Sequence, residues 1–299
     1  MVATVETLQS WETMPCTLDN GPARTVAIGL VTLSNDVVIE RELHAFLAPV
    51  EGAAVFASRI PLMLELMVRH GSTTVGLYTE EEGGHAFLKW LRSESKFTGA
   101  ENRLKLADVD WAMMQRWVAE GPTRSPKTKL EIYDGQIPEE MLEDYAPQFT
   151  SMLNTMPFEN LDHGDIVVTP DHMKEWYQEM EIGGDRLHTV MTREPDGVMS
   201  AVTDTLWAPY RPTIIHQMFT GVRPDARGRG LGKWIKAVML LHLRYLYPDA
   251  QWVSTDNAGS NAPMLAINKK VGFRQYRVGS EYQMSRDALA ARVRELRLS

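Results

Sequence analysis

The sequence predicts a mixed α/β fold, and three observations carry the prediction. Segments with alternating or continuous apolar patterning take turns with segments of three- and four-residue apolar spacing along the 299 residues. Pro195-Asp196-Gly197 joins two strand-like runs as a hairpin turn. A further strand-like run ends in Val222-Arg223-Pro224-Asp225-Ala226-Arg227-Gly228-Arg229-Gly230-Leu231-Gly232-Lys233, a glycine-rich turn that passes straight into an amphipathic helix.

In chain order, residues 24–33 read as a buried strand, 36–47 as an amphipathic helix and 53–57 as a short strand. A helix at about 61–70, a strand at 73–78, a helix at about 83–95 and a strand at 101–106 extend this β-α-β opening. Residues 121–129 hold two prolines and three basic residues and break the periodicity. They are the predicted linker between an amino-terminal α/β domain, 1–120, and a carboxy-terminal domain, 130–299. Beyond the linker, 130–133 reads as a strand, and Pro138-Glu139-Glu140 opens a helix to about Met152, with proline and acids where a helix start favours them. A helix at 170–182 follows Thr169-Pro170, then strands at 185–193, 198–207 and 213–222. The helix after the glycine loop spaces Leu231, Trp234, Ile235, Val238, Leu241 and Tyr245 to cover a sheet. A strand at 251–255, a helix at 261–270 and strands near 273–278 and 281–285 complete the series.

A hydrophobic content of 44% is enough to fill globular cores, and a net charge of −8 argues against general affinity for nucleic acid or anionic membrane. The basic cluster at 223–233 stands out against that background and points to a local anionic ligand. One cysteine, Cys16, allows no intrachain disulfide framework and no multi-cysteine zinc site, which fits a reducing, cytoplasmic location. The first residues lack a basic segment followed by an apolar run, and the longest apolar stretches are too short to span a bilayer. The eight histidines form no His-x-x-x-His pair, so no metal is expected. His163, His172 and His188 show no spacing that suggests more than surface or packing.

In the glycine loop, successive N–H groups at a helix start form a nest for phosphate oxygens, and Arg227, Arg229 and Lys233 add positive charge. Arg223 reads equally well as solvated surface charge. Arg227, Gly230 and Gly232 match an Arg/Gln-x-x-Gly-x-Gly/Ala pattern, and the loop resembles the acyl-CoA-binding loop of the GNAT superfamily of N-acyltransferases. The order of elements over about 130–285 is similar to the GNAT acyltransferase fold. Residues 74–78, 84–92 and 102–106 resemble a degenerate first copy of a tandem GNAT protein. A competing resemblance links 28–41 to the aspartate/glutamate racemase and maleate isomerase group, whose cysteine pair this chain lacks. Either way the amino-terminal half is expected to be structural or substrate-shaping.

The GNAT resemblance implies an acyl-CoA co-substrate, most often acetyl-CoA. Its acyl-pantetheine arm lies in a splay between the strand before the loop and the next parallel strand. Phe219, Thr220, Gly221 and Val222 would supply the strand edge, and Arg227, Gly228, Arg229, Gly230, Leu231, Gly232 and Lys233 the pyrophosphate site. Residues 257–273, ending in Gly272-Phe273, resemble the family's Asn-x-x-Ala-x-x-Leu-Tyr-x-x-x-Gly-Phe region. Asn261 matches the asparagine that contacts pantetheine, and Asn257 and Met264 are assigned to the donor with it. Asn268 stands where the family's tyrosine acid would be, and an amide hydrogen-bonds a leaving thiolate without protonating it. The thiolate would leave unprotonated, take a proton from solvent, or take one from Tyr276 or Tyr282.

His216 lies eleven residues before Arg227, near the place of the base in histone-acetylating members, and imidazole titrates near neutrality. On a regular strand it would share a face with Met218, Thr220 and Val222. For the acceptor, Glu159, Asp162 and Asp165 could hold a cationic amine, and Trp207, Tyr210 and Phe219 could line the same cleft. The expected activity is direct transfer of an acyl group, most often acetyl, from a CoA thioester to a small-molecule amine. The alternatives are a donor carried by an acyl carrier protein and a non-catalytic sensor of acyl-CoA or another ligand on a GNAT scaffold.

Overall fold

The computed structural model describes residues 60–296. The elements expected at 24–33, 36–47 and 53–57, the segment 28–41 and Cys16 lie outside the described residues. Two compact units divide the chain. In one, which holds described residues 60–76 and 284–296, helix α1 (Ile60–Arg69) packs against helix α8 (Arg286–Leu296). Ile60, Met63 and Met67 are buried on α1, and Leu289 and Val293 on α8.

The other unit, Leu77–Gln283, is built on a sheet. The elements in chain order are β1 (Thr74–Thr79), α2 (Glu82–Leu91), β2 (Glu94–Lys105), α3 (Trp111–Arg124), β3 (Lys129–Asp134), α4 (Leu142–Leu153) and α5 (Pro170–Gly183). Then follow β4 (Arg186–Arg193), β5 (Met199–Trp207), β6 (Ile214–Val222), α6 (Leu231–Leu246), β7 (Trp252–Ala258), α7 (Ala262–Val271) and β8 (Arg274–Ser285). The strands form one eight-stranded sheet in the order β1-β8-β2-β7-β6-β5-β4-β3. Strands β3 to β6 form an antiparallel meander, while β6 and β7 run parallel. Strand β2 is antiparallel to both β7 and β8, so it fills the strand-wide gap that the β7-α7-β8 crossover leaves.

Two apolar cores lie against this sheet. One gathers Met114 and Trp117 of α3, Leu231, Trp234, Ile235 and Leu240 of α6, and Val190, Ile215 and Val253 of the strands. The other gathers Tyr145, Phe149 and Met152 of α4, Met173 and Tyr177 of α5, and Met191 and Val202. The caps follow local chemistry: the Thr169 side chain accepts from the His172 N–H at the start of α5, and the Asp110 side chain from the Met113 N–H at the start of α3. Among the described residues no helix is long and apolar enough to cross a membrane.

Three expectations are corrected. The predicted linker 121–129 is not a linker: its first residues are the last turn of α3, its last begins β3, and the compact units divide the chain elsewhere. The helix tolerates Pro122 because Met114, Trp117 and Gly121 bury one face against α6. The strands expected at 273–278 and 281–285 are one strand, held along its length by β2. Tyr245, placed on the buried stripe of α6, is 82% exposed. It stands two residues, about 200° around the helix, from the fully buried Leu243, and so points away from the core that Leu240 and Leu243 fill.

Gly121 sits where a Cβ would lie 2.2 Å from the indole ring of Trp234, so the two helices touch backbone to ring. Gly121→Ala is therefore expected to destabilise the protein by about 1–3 kcal/mol through forced separation of α3 and α6. A lowered urea midpoint with unchanged slope would show it.

Candidate functional site

Strands β6 and β7 pair at only three positions, Ile214↔Trp252, Ile215↔Val253 and His216↔Ser254. Beyond His216, β6 stays with β5 as far as the Ala201↔Val222 pair, and β7 stays with β2 as far as Gly99↔Ala258. The two parallel strands therefore part, and the edge of β6 from Gln217 to Val222 faces the opening. Backbone N–H and C=O groups on such an edge can hold an extended ligand as a further strand would.

A β-bulge lies in the same stretch of β6. Met218 and Phe219 together oppose Asp204, between the pairs Thr203↔Thr220 and Thr205↔Gln217. The extra residue reverses the side-chain alternation. Ile215 and Val222 join the same core under α6, while Met218 and Phe219 pack with α4 and α5. This corrects the expectation that His216, Met218, Thr220 and Val222 share one face. Phe219 meets Phe149 edge-on at 5.6 Å, and its ring lies where a Cβ on Gly221 would have to go. Thr220 exchanges a 2.7 Å hydrogen bond with Thr203. Asp204 is buried opposite the bulge, and burial raises its carboxyl to about 7 while the Thr189 hydroxyl, donating at 2.7 Å, opposes that rise. Nothing in the local pattern marks it, since a lone Asp in a strand looks solvent-facing.

The glycine loop follows β6. Gly228 and Gly230 take φ of +80° and +84°, and Gly230 caps α6, with its carbonyl accepting from the Lys233 and Trp234 N–H groups. Leu231 and Gly232 open the first turn, and their N–H groups have no carbonyl partner within the helix. The charges around the loop differ from those expected. Arg229 turns away: its guanidinium donates to Glu194 at 2.9 Å and to the Thr128 hydroxyl at 2.6 Å. Arg223 pairs with Asp225 at 2.7 Å. Arg227 donates to the Val222 carbonyl at 3.2 Å, and the Lys233 ammonium lies 5.6 Å from the Trp117 ring centre. Arg124, from the segment read as linker, brings its guanidinium to 3.0 Å from where a Gly230 Cβ would stand. Its basic character was visible in the sequence, but its place against the loop depends on α3 packing on α6.

His216 sits where the strands part. Its Nδ1 lies 3.1 Å from the Ser254 hydroxyl and its Nε2 3.9 Å from the Asp256 carboxylate. Burial, helped by the Arg211 charge and opposed by Glu101, lowers its pKa to about 4. The 30% of the side chain still open leaves room for a proton donor to reach a ring that is neutral at pH 7. Asn268 is placed elsewhere, buried on α7, and donates at 2.8 Å to the Asn257 side-chain oxygen. Its own side-chain oxygen is buried without a partner. A pocket lined by Asn102, Leu265, Asn268 and Phe273 opens beside it. Asn261 caps α7 through its backbone, and Met264 follows in the first turn. Tyr282 is not brought to the parted strands: it lies on β8, with β2 between β8 and β7, and its hydroxyl meets His85 Nδ1 at 2.9 Å. Tyr276, also on β8, lies under the Arg103 guanidinium.

The acceptor candidates separate as well. Glu159, at φ +52°, accepts from the Ser260 hydroxyl at 3.1 Å and from the Thr98 N–H at 3.4 Å. Asp162 exchanges backbone hydrogen bonds with the Gln283 side chain. The carboxylate of Glu159 and the backbone of Asp162 thus tie the α4–α5 connection over the ends of β2 and β8. Trp207 does not line the opening, because it stacks on Tyr247 with ring centres 4.7 Å apart. Tyr210 is an exposed residue beyond the end of β5. His188, expected to be surface or packing, is buried between Asp134 and Tyr247.

No protein-family model and no curated protein matches the sequence. Among solved structures, a tandem GNAT protein from the clavulanic acid biosynthesis pathway, without acetyl-CoA, is similar at TM-score 0.61 and 20% identity, over 78% of this chain and 69% of that one. The fold is that of the GNAT acyltransferases. GCN5-related N-acetyltransferases from Kribbella flavida (TM-score 0.47, 13% identity, 77% of this chain and 75% of that one) and Sphaerobacter thermophilus (TM-score 0.47, 10% identity, 71% and 60%) are more distant. In this chain the GNAT sheet takes β2 from the amino-terminal side as the strand between β7 and β8.

Burial works to raise the Glu194 pKa, but hydrogen bonds from Arg229, Ser200 and Thr128 prevail and hold it below the usual carboxylate value. A carboxyl depressed in the folded state stabilises it above the unfolded pKa and loses that contribution as pH falls through the folded value. Arg229→Ala is expected to lower stability by about 1–3 kcal/mol at pH 7, by leaving Glu194 short of a partner. The difference from the unmutated protein should shrink below about pH 4. Thermal unfolding of both proteins across that range checks the sign.

Proposed function

We propose that the protein is an N-acyltransferase that moves an acyl group, most readily acetyl, from a CoA thioester to the amine of a small molecule. The observation that carries this reading is the parting of β6 and β7 at His216, beside a left-handed glycine loop that caps α6. An acyl-pantetheine arm laid along Phe219–Val222 would pair with the free edge of β6. Its pyrophosphate would meet the first N–H groups of α6 and the charges of Arg124, Arg227 and Lys233. A thioester carbonyl near His216 would be polarised by strand N–H groups as the tetrahedral oxyanion develops.

The acceptor nitrogen attacks the thioester carbonyl carbon, and the C–S bond breaks as the oxyanion collapses. The proton lost from nitrogen passes to the neutral His216 ring, directly or through one water. The departing thiolate takes a proton from solvent. Asp256, close to His216, places negative charge on the side from which a cationic amine would approach. No covalent acyl-enzyme enters this scheme, and positioning supplies much of the acceleration.

One observation favours a second reading. Arg223 and Arg229 are committed to Asp225 and Glu194, which leaves fewer cations for a free pyrophosphate. A thioester on an acyl carrier protein would need less charge at the loop. Calorimetric titration with acetyl-CoA separates the two: binding supports the free donor, and its absence together with turnover of an acetylated carrier protein supports the other. Binding of acetyl-CoA with no transfer to a panel of amines would leave a sensor, and no binding of either donor would sink the acyltransferase reading.

Gly230→Ala strains the +84° position and pushes on Arg124, so acetyl-CoA affinity is expected to fall about tenfold or more. His216→Gln keeps the size and removes the base, so turnover should fall about 100-fold with donor affinity unchanged. Equal turnover at saturating donor would remove His216 from the chemistry.

A further inference from the structure

We propose that Asp134, His188 and His242 form a binding site for a transition-metal dication of the zinc type, separate from the donor loop. The three residues are far apart in sequence and meet only in the fold. Asp134 ends β3 and is paired across the ladder with His188 of β4, while His242 reaches down from α6. His188 Nδ1 lies 2.6 Å and His242 Nε2 2.7 Å from the same Asp134 carboxylate oxygen. The three ligand atoms all fall within 4.8 Å of one another.

Two imidazole nitrogens and a carboxylate oxygen make a borderline donor set that suits Zn²⁺ or Co²⁺ and disfavours Mg²⁺ and Ca²⁺. A tetrahedral ion about 2.0 Å from each ligand atom needs those atoms about 3.3 Å apart. The Asp134 oxygen has to retreat by less than an ångström from its present hydrogen bonds, and the two imidazole nitrogens, at most 4.8 Å apart, have to settle at the same spacing. It is 50% exposed at the end of its strand, so it has the freedom to do so. Exposure falls from Asp134 to His242, at 20%, and His188, at 4%, so the cluster opens on the carboxylate side. That opening gives an ion its route in and leaves the fourth position to water.

A second layer of contacts fixes the buried ligand. The His188 Nε2 meets the Tyr247 hydroxyl at 2.7 Å, and Tyr247 is itself held by stacking on Trp207. Such a partner on the far nitrogen orients the ring and sets its tautomer. With a metal on Nδ1, the His188 proton sits on Nε2 and is donated to the Tyr247 oxygen. His242 likewise carries its proton on Nδ1. Each ring would bind the ion as a neutral imidazole through the nitrogen that now faces Asp134. The ion would staple β3, the last strand of the sheet, to β4 and α6. His242 lies eleven residues beyond Leu231 on α6, about 16 Å along a helix rising ~1.5 Å per residue, so the site stands clear of the glycine loop.

The test uses tag-free, chelator-treated, full-length protein titrated calorimetrically with Zn²⁺, with Mg²⁺ as control and Co²⁺ absorption as the spectroscopic readout. One equivalent of Zn²⁺ should bind and raise the melting temperature, Mg²⁺ should not bind, and Co²⁺ should give the intense visible bands of a tetrahedral site. His242→Ala and Asp134→Asn alter side chains that are partly open, so both variants should fold, with circular dichroism as the check. Each is expected to weaken Zn²⁺ binding by at least about 100-fold and to abolish the Co²⁺ bands. Failure of the unmutated protein to bind Zn²⁺, or undiminished binding in either folded variant, would overturn the site.

Discussion

The structure depends on one constraint: β6 and β7 are parallel neighbours that each have a better partner on their other side. Strand β5 holds β6 through to Val222, and β2 holds β7 through to Ala258, so the shared ladder ends at His216 and Ser254. Buried backbone groups must be paired or solvated, and an open edge inside a sheet is tolerated only where a ligand or water can complete it. The bulge at Met218 and Phe219 adds to the effect, because it turns Phe219 into the α4–α5 core while Val222 returns to the α6 core. The glycine loop begins where this edge ends. The opening and the place of His216 at its edge are thus consequences of a single arrangement of strands.

Charge around the opening is divided between holding the fold and offering a ligand surface. Arg229 is the centre of a structural clasp that ties the loop to Glu194 after β4 and to Thr128 before β3. Arg124 faces the loop from the neighbouring helix. Two arginines thus exchange the parts that proximity in sequence would assign them. The exchange follows from the burial of Trp117 and Gly121 against α6, which carries the end of α3 onto the loop. The Asp134–His188–His242 cluster arises in the same way, from a strand pair and a helix laid across it.

Much of the fold was legible in the sequence. The strands at 185–193, 198–207 and 213–222, the helix at 170–182 and the strand–loop–helix around Gly230 stand within a residue or two of their expected places. Each is announced by a local device: a proline and Thr169 cap, a Pro-Asp-Gly turn, a run of glycines, an apolar stripe. Helix α3 was missed because Gly121 and Pro122 break helical patterning, and what keeps them helical is the face of α6. The site was legible in part. His216 and the loop glycines could be picked out from spacing, while the bulge that redirects Met218 and Thr220 is a mismatch between two strands and leaves no mark on either alone.

The sequence by itself determined what depends on near neighbours along the chain. That includes where helices begin, where the chain must turn left-handed at Gly228 and Gly230, and which residues are apolar enough to cover a sheet. Only the tertiary structure decided that β2 separates β7 from β8, that Tyr282 is carried two strands away from the opening, and that Arg124 replaces Arg229 beside the loop. It also decided that Asp134, His188 and His242 share one point. The physical reason is common to all of these. Strand pairing, helix packing and the meeting of polar side chains are set by contacts between residues tens to more than a hundred positions apart, and a linear pattern does not record which distant partner wins.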